Sequence, residues 1–165
     1  MLTRRAALSV AVRGLAAIGG GAVLLQIPAA RCAGDDHVVR SDAEWRKLLT
    51  PQQYAVLREE GTEPPFTSPL LHEERRGTFA CAGCGLDLFS STTKFDSGTG
   101  WPSFWAPLDD AVNTKEDRSL WMTRTAVTCR RCDGHLGHVF DDGPKPTGLR
   151  YCMNGVALTF KPAIA

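Results

Sequence analysis

"CRRCDGHLGHVFDDGPKPTGLRYCMN", Cys129 to Asn154, is built from short strand-forming pieces set between turn residues. Gly134 and Gly137 rule out a stable helix through its first half. The same texture runs from Thr78 onward, in "TFACAG", "DLFSS", "SFWAP", "SLWMTRTAVTC", "HVFDD" and "RYCMNGVALTF", each bounded by Gly, Pro, Asp or Ser. Short β-rich runs separated by turns predict an all-β sandwich or barrel. Apart from the two cysteine pairs there is no internal repeat.

Upstream the pattern changes. "SDAEWRKLL" offers Ser41 as N-cap with Glu44 three positions on, and Trp45, Leu48 and Leu49 on one face. A second helix is capped by Thr50, has Pro51 in its first turn and Gln53 to close a capping box, carries Tyr54 and Leu57 as apolar neighbours, and ends at Gly61. Pro64 and Pro65 then force an extended segment. Two small helices packed on a β domain follow from this order.

At 165 residues, 43% hydrophobic and 22% charged, the chain has room for one compact domain, residues 35–165, plus an accessory segment. Residues 1–34 carry four arginines and no acid, which leaves the remainder with fifteen basic against eighteen acidic residues. That balance argues against a nucleic-acid partner. The first 34 residues read as an export signal and linker: a basic start, an apolar run from Gly14 to Ile27, then small residues. The run is shorter than the ~20 residues of an easy membrane span, so no span is expected in the mature form. Thr3, Arg4, Arg5 and Leu8 resemble a twin-arginine signal, a route that carries folded proteins to the periplasm. A retained anchor helix and a lipoprotein cysteine at Cys32 are the alternatives.

Cys81 and Cys84 in "CAGC", and Cys129 and Cys132 in "CRRC", form two CxxC knuckles separated by forty-four residues. A CxxC turn points two sulfurs at one ion, and two such turns complete a closed tetrahedral site of the structural zinc kind. Over this separation one Zn2+ would staple distant strands. Disulfide bonding is the rival in an exported protein.

Cys152 lies outside this spacing, and three uses compete for it: inert core residue, half of a disulfide, or nucleophile. Strand alternation puts Arg150, Cys152 and Asn154 on one face and Tyr151 and Met153 on the other. A guanidinium and an amide beside the thiol would favour the thiolate. His135 and His138 flank the Gly137 bend. Strict alternation separates their rings, so a bulge at Gly137 is needed to bring both into one pocket. Proton transfer competes with a plain surface or spare-ligand role for the pair. In "SGTGWPSFW", Gly98 and Gly100 bracket Thr99 and present Trp101, as core filler or as a wall for a small apolar group.

Together, "GTEPPF", "CAGC", "FDSGTGWPSF" and "CRRCDGHLGHVFDDGPKPTGLRYCMN" make the chain from about Ser41 to Lys161 resemble the type B peptide methionine sulfoxide reductases, which act on the R epimer. The resemblance implies two antiparallel sheets in an open barrel-like sandwich, zinc on Cys81, Cys84, Cys129 and Cys132, and Cys152 as nucleophile. His135, His138, Asn154 and Trp101 match the family's substrate pocket, and Arg150 stands where the family also has arginine. Oxidised protein methionines are the expected substrate, favoured over free methionine sulfoxide by an exposed loop pocket, with a thioredoxin-like reductant and a monomeric state also expected. The residue types suit the chemistry, because a sulfoxide sulfur is poorly electrophilic until its oxygen is protonated or strongly hydrogen-bonded.

One departure is Thr99, where many family members have a recycling cysteine. Cys32 is the uncommitted cysteine that could instead resolve a Cys152 sulfenic acid. Two rival classes remain at this level: a non-enzymatic zinc-braced binding module presenting Trp101 and Trp105, and a thiol peroxidase.

Overall fold

The computed structural model describes residues 36–119 and 122–164. The stretch 1–34 read as an export signal and linker, Cys32 included, therefore lies outside the described residues. Helices α1 (Asp42–Leu48) and α2 (Pro51–Leu57) each open with a complete capping box, Ser41 with Glu44 and Thr50 with Gln53. Seven-residue helices do not persist alone in water. These are held by Trp45, Leu49, Tyr54, Val56 and Leu57, all buried in the common core. Leu48, expected on the apolar face, is exposed; Leu49, which caps α1, turns inward instead. The second helix stops at Leu57, short of Gly61.

Among the described residues nine strands follow: β1 (Gly77–Cys81), β2 (Asp87–Ser90), β3 (Lys94–Phe95), β4 (Ser103–Phe104), β5 (Val112–Asp117), β6 (Arg124–Cys129), β7 (His135–Phe140), β8 (Arg150–Met153) and β9 (Leu158–Pro162). They form two antiparallel sheets, one ordered β2-β1-β9 and the other β3-β4-β8-β7-β6-β5. Aromatic side chains join the sheets: Phe89 stacks on Phe104 at 4.4 Å between ring centroids, and Phe79 meets the same ring edge-on at 5.0 Å.

The mainly β class with short N-terminal helices stands, but the barrel-like closure does not. Among the described residues neither sheet closes on itself, because β5 and β3 end the larger sheet and β2 and β9 end the smaller one. Closure needs the terminal strands of one sheet to pair. Here one terminal strand, β3, has two residues, and the other, β5, exposes Asn113, Thr114, Lys115 and Glu116, a charged edge of the kind that resists further pairing.

Candidate active site

The two knuckles are built alike. Gly85 and Asp133, the residues after the second cysteine of each pair, both take a left-handed backbone, and each donates its N–H to the carbonyl of the first cysteine at 2.8 and 2.9 Å. That turn swings both sulfurs of a pair to the same side. The four sulfurs of Cys81, Cys84, Cys129 and Cys132 consequently lie within 4.8 Å of one another, with three of the cysteines buried and Cys84 partly so. Cys81 and Cys132 sulfurs are 3.7 Å apart, and Cys84 and Cys129 sulfurs 3.5 Å. A tetrahedron with Zn–S bonds of about 2.3 Å has edges of about 3.8 Å, so this donor set fits zinc. A disulfide would need sulfurs at about 2 Å, which disposes of that rival. As thiols, Cys81 and Cys132 are held protonated by hydrogen bonding to Cys129. A bound divalent cation reverses that preference.

From the second knuckle the chain runs directly into β7. Its register against β6 slips between Val127 and Thr128, with Val127 opposite Gly137 and Thr128 opposite His135. Leu136 is thus the extra residue of a bulge, one position before the glycine where the histidine spacing required one. Its consequence is that the rings of His135 and His138 meet edge-on, 5.3 Å between centroids. Gly137 itself sits against β8: a Cβ there would lie 2.1 Å from the carbonyl oxygen of Cys152. Only a glycine lets the two strands approach this closely.

On the neighbouring strand His138 pairs with Cys152, and beyond it Cys152 pairs with Ser103 of β4. A cavity of about 120 Å³ opens here, lined by Cys152, His138, Trp101 and Asn154 together with Thr62, Arg124, Gly137 and Phe140. Among the described residues, four of the six non-metal site positions singled out in the sequence therefore meet around one small space. His135 and Arg150 do not line it. His135 is buried behind His138, and neither ring nitrogen has a hydrogen-bond partner. Burial lowers its pKa to about 4, so the ring is neutral near pH 7. Arg150 grips Asp142 through two 2.8 Å contacts and lies over the Phe140 ring, 4.4 Å from its centroid.

The expectation that Arg150 and Asn154 favour a Cys152 thiolate is not met on balance. Burial pushes this thiol up, and the opposing pull of Thr99 and of Arg150 does not overcome it. Arg150 is the weaker help because Asp142 neutralises it. Asn154 also differs from its expected place: it lies past the end of β8, where its Oδ1 accepts from the Glu63 N–H at 2.9 Å and its Nδ2 donates to the Leu136 carbonyl at 3.0 Å.

Three participants escaped the sequence reading. Asp117, last residue of the polar strand β5, accepts from His138 Nε2 at 2.8 Å and from Arg124 Nη2 at 2.7 Å. The Ser119 backbone N–H, Ser119 hydroxyl and His138 hold the Asp117 carboxyl well below the usual range, so it is an acceptor only. His138 Nε2 must then carry hydrogen, and Nδ1 keeps the free lone pair in the neutral ring. Arg124, the second participant, has a buried Nε without a partner beside the same cavity. Glu63, the third, receives the Trp101 indole N–H on its carbonyl at 3.0 Å, while its carboxylate accepts from Gly155 and Val156 N–H groups. It thereby ties the indole wall to the turn after Cys152. No local pattern announces Asp117 or Arg124. Glu63 lay in "GTEPPF", where an acid before two prolines shows no partner.

The SelR domain family matches residues 49–162. The chain belongs to the family of peptide methionine sulfoxide reductases named MsrB. It is 60% identical to the peptide methionine sulfoxide reductase MsrB of Pseudomonas putida over 120 residues, 72% of this chain and 90% of that one. Identity to the proteins of the same description from Methanosarcina barkeri and Bradyrhizobium diazoefficiens is 57% over 125 and 56% over 129 residues, which covers 88% and 93% of their lengths. MsrB membership makes the chain an oxidoreductase and sets aside a non-enzymatic binding module.

Proposed function

We propose that this chain reduces the R epimer of methionine sulfoxide, chiefly in oxidised proteins, with Cys152 as the nucleophile. The observation that carries the reading is the shared cavity of Cys152, His138 and Trp101 in an MsrB domain. In it, Trp101 is the apolar wall for the S-methyl group, and His138, with Asn154 and Arg124, faces the sulfoxide oxygen. Wall and donors on opposite sides select one epimer.

Because burial keeps the Cys152 thiol protonated at rest, its proton must leave as the oxygen is activated. His138, held by Asp117 through Nε2, takes the Cys152 proton on Nδ1 and passes it to the sulfoxide oxygen as the Cys152 sulfur attacks the substrate sulfur. The protonated oxygen then passes from the substrate sulfur to the Cys152 sulfur as the sulfur–sulfur bond breaks, so that methionine departs with the electron pair and Cys152 is left as a sulfenic acid. Neutral His135 packs against His138 and limits its movement. Arg150 tempers the thiol from outside the cavity. The thiolates of Cys81, Cys84, Cys129 and Cys132 hold zinc, which when bound supplies a rigid cross-link between β1 and the β6–β7 turn.

Regeneration consumes two thiols: one attacks the sulfenic sulfur and releases water, and the second breaks the resulting disulfide. A thioredoxin-like protein supplies them, either directly or after Cys32 has formed a disulfide with Cys152. Mass mapping after one turnover separates these routes, since a sulfenic acid at Cys152 beside a free Cys32 would eliminate the second. Residues 1–34 are proposed as a twin-arginine export signal and linker to the single domain at 35–165. Retention of an Arg4→Lys, Arg5→Lys double variant in the cytoplasm, against a periplasmic parent, is the expected result.

The deciding assay is stereo-resolved reduction of methionine R- and S-sulfoxide by the zinc-loaded chain with dithiothreitol, beside Cys152→Ser. Reduction of the R epimer alone, lost in the variant, is expected. A folded chain that reduced neither epimer, or that consumed hydrogen peroxide faster than either, would overturn the reading.

A further inference from the structure

Behind Cys152 lies an unbroken line of hydroxyl groups. Ser103, directly across from Cys152 in the β4·β8 ladder, is completely buried. Its Oγ donates to the Trp101 carbonyl at 3.2 Å and lies 2.7 Å from Ser97 Oγ. Ser97 Oγ is 2.8 Å from Thr99 Oγ1, and Thr99 Oγ1 is 3.8 Å from Cys152 Sγ. The loop that carries Ser97 and Thr99 is fixed at both ends. Asp96 accepts from the Gly98 N–H at 2.9 Å, and Gly100, at φ +92°, packs where a Cβ would lie 2.8 Å from Pro65.

Each hydroxyl can donate once, so the line has two complete polarities. With Cys152 protonated, hydrogens point inward: Cys152 to Thr99, Thr99 to Ser97, Ser97 to Ser103, Ser103 to the Trp101 carbonyl. With Cys152 ionised, every hydroxyl turns, and the line runs outward from Ser103 to the sulfur. The inner terminus is a carbonyl, which accepts a hydrogen bond but does not hold a proton near neutral pH. The line therefore reorients and does not conduct the thiol proton away. Turning gives up the Ser103 bond to the Trp101 carbonyl and the weak thiol bond to Thr99 in exchange for one charge-assisted bond to sulfur, which is the strongest of the three.

We propose that Ser103, Ser97 and Thr99 form a reversible hydroxyl chain that stabilises the Cys152 thiolate, so that Thr99 and Ser97 are positioning residues for the attack. It rests on Cys152 being the reacting sulfur. Thr99 thus has a use of its own at the position where a recycling cysteine is missing: it assists the first half-reaction without taking part in the second. The pull of Thr99 against the burial of Cys152 agrees with this direction. The charged and titratable groups around the thiol on its other sides are Arg150 with Asp142, His138 with Asp117, and Arg124, and none of them touches the hydroxyl line.

The test measures the pH dependence of Cys152 alkylation by iodoacetamide in the zinc-loaded full chain, with the modified peptide identified by mass. Thr99→Val is expected to move the midpoint up and to slow alkylation at pH 7 roughly fivefold, the effect of losing one hydrogen bond to a charged sulfur. Ser97→Ala should shift it in the same direction by less, Thr99→Ser should restore it, and the double variant Ser97→Ala, Thr99→Val should match Thr99→Val alone. Thr99→Ala replaces Thr99→Val if the valine disturbs the loop. An unmoved midpoint in Thr99→Val, a Ser97→Ala midpoint equal to the parent, or additive shifts in the double variant would each overturn the chain. Should the parent reduce neither sulfoxide epimer while the midpoints shift as described, the functional reading fails and the hydroxyl chain stands.

Discussion

At the start of β7 the Cys129–Cys132 knuckle meets Cys81 and Cys84 in a closed cluster; three residues past His135, His138 and Cys152 face an open cavity. Both regions use cysteine, and their surroundings differ in kind. Around the knuckles the backbone is satisfied by repeated turns, Arg58 donates to the Cys132 carbonyl at 2.8 Å, and Arg131 donates to that of Cys84 at 3.2 Å. Around Cys152, both nitrogens of His135 and the Nε of Arg124 are buried without partners. Unsatisfied polar groups cost stability, commonly about 1–3 kcal/mol each. A domain that keeps them beside a cavity needs rigidity elsewhere, and the metal cluster supplies it one strand-length away.

The largest expected effect tests that division of labour. Stripping zinc, or replacing Cys129 by Ser, should abolish cooperative thermal unfolding followed by circular dichroism. Structural zinc binding is worth about 10–16 kcal/mol, comparable with the ~5–15 kcal/mol stability of a whole domain. Cys152→Ser should keep the transition within a few degrees while losing the reaction. A metal-free chain that melted like the parent would break the comparison.

Next in size is Asp117→Asn. An amide in place of the carboxylate no longer fixes the His138 hydrogen at Nε2, and kcat/KM for the R-sulfoxide should fall about 10²-fold with folding retained. An unchanged rate would remove Asp117 from the site and leave the cavity with a freely rotating histidine.

His135 makes the contrast measurable as stability. Its folded pKa of about 4 lies below the ordinary value of 6.5. As pH falls below 6.5 the unfolded chain takes up the proton first, so stability drops until about pH 4 and then levels off. The loss amounts to at most about 3 kcal/mol. Urea titrations at pH 7 and 4.5 should show it in the parent, and His135→Leu should flatten the difference.

The smallest effect concerns the indole wall. Glu63→Gln weakens the bonds to Gly155 and Val156, and should cost about 1–2 kcal/mol in urea unfolding and raise KM more than it lowers kcat. Equal loss in both would place Glu63 in the chemistry itself.

What could be read from the sequence was what is written in adjacent residues. Both capping boxes, the CxxC pairs and the unpaired Cys152 are local patterns, and a knuckle turn or helix cap is settled within about four positions. The need for a bulge near Gly137 was also legible, because strand alternation has a fixed period. Long-range pairing was not. "VNTKED" has β-branched residues only at Val112 and Thr114 and is polar or charged after Val112, yet it becomes β5 because β6 offers it a ladder. "RYCMNGVALTF" reads as one strand, but a 3-10 turn at Gly155–Ala157 sends its halves to different sheets, β8 to the larger and β9 to the smaller. The same holds for the site. Asp117 reaches His138 only through the β5·β6·β7 ladder, and burial, a property of the assembled core, overrode the favourable look of the residues beside Cys152. Residue type and spacing determined the chemistry this chain can attempt. Packing decided which histidine faces the cavity, which acid holds it, and how hard the thiol is to ionise, since desolvation and long-range contacts exist only once the strands are together.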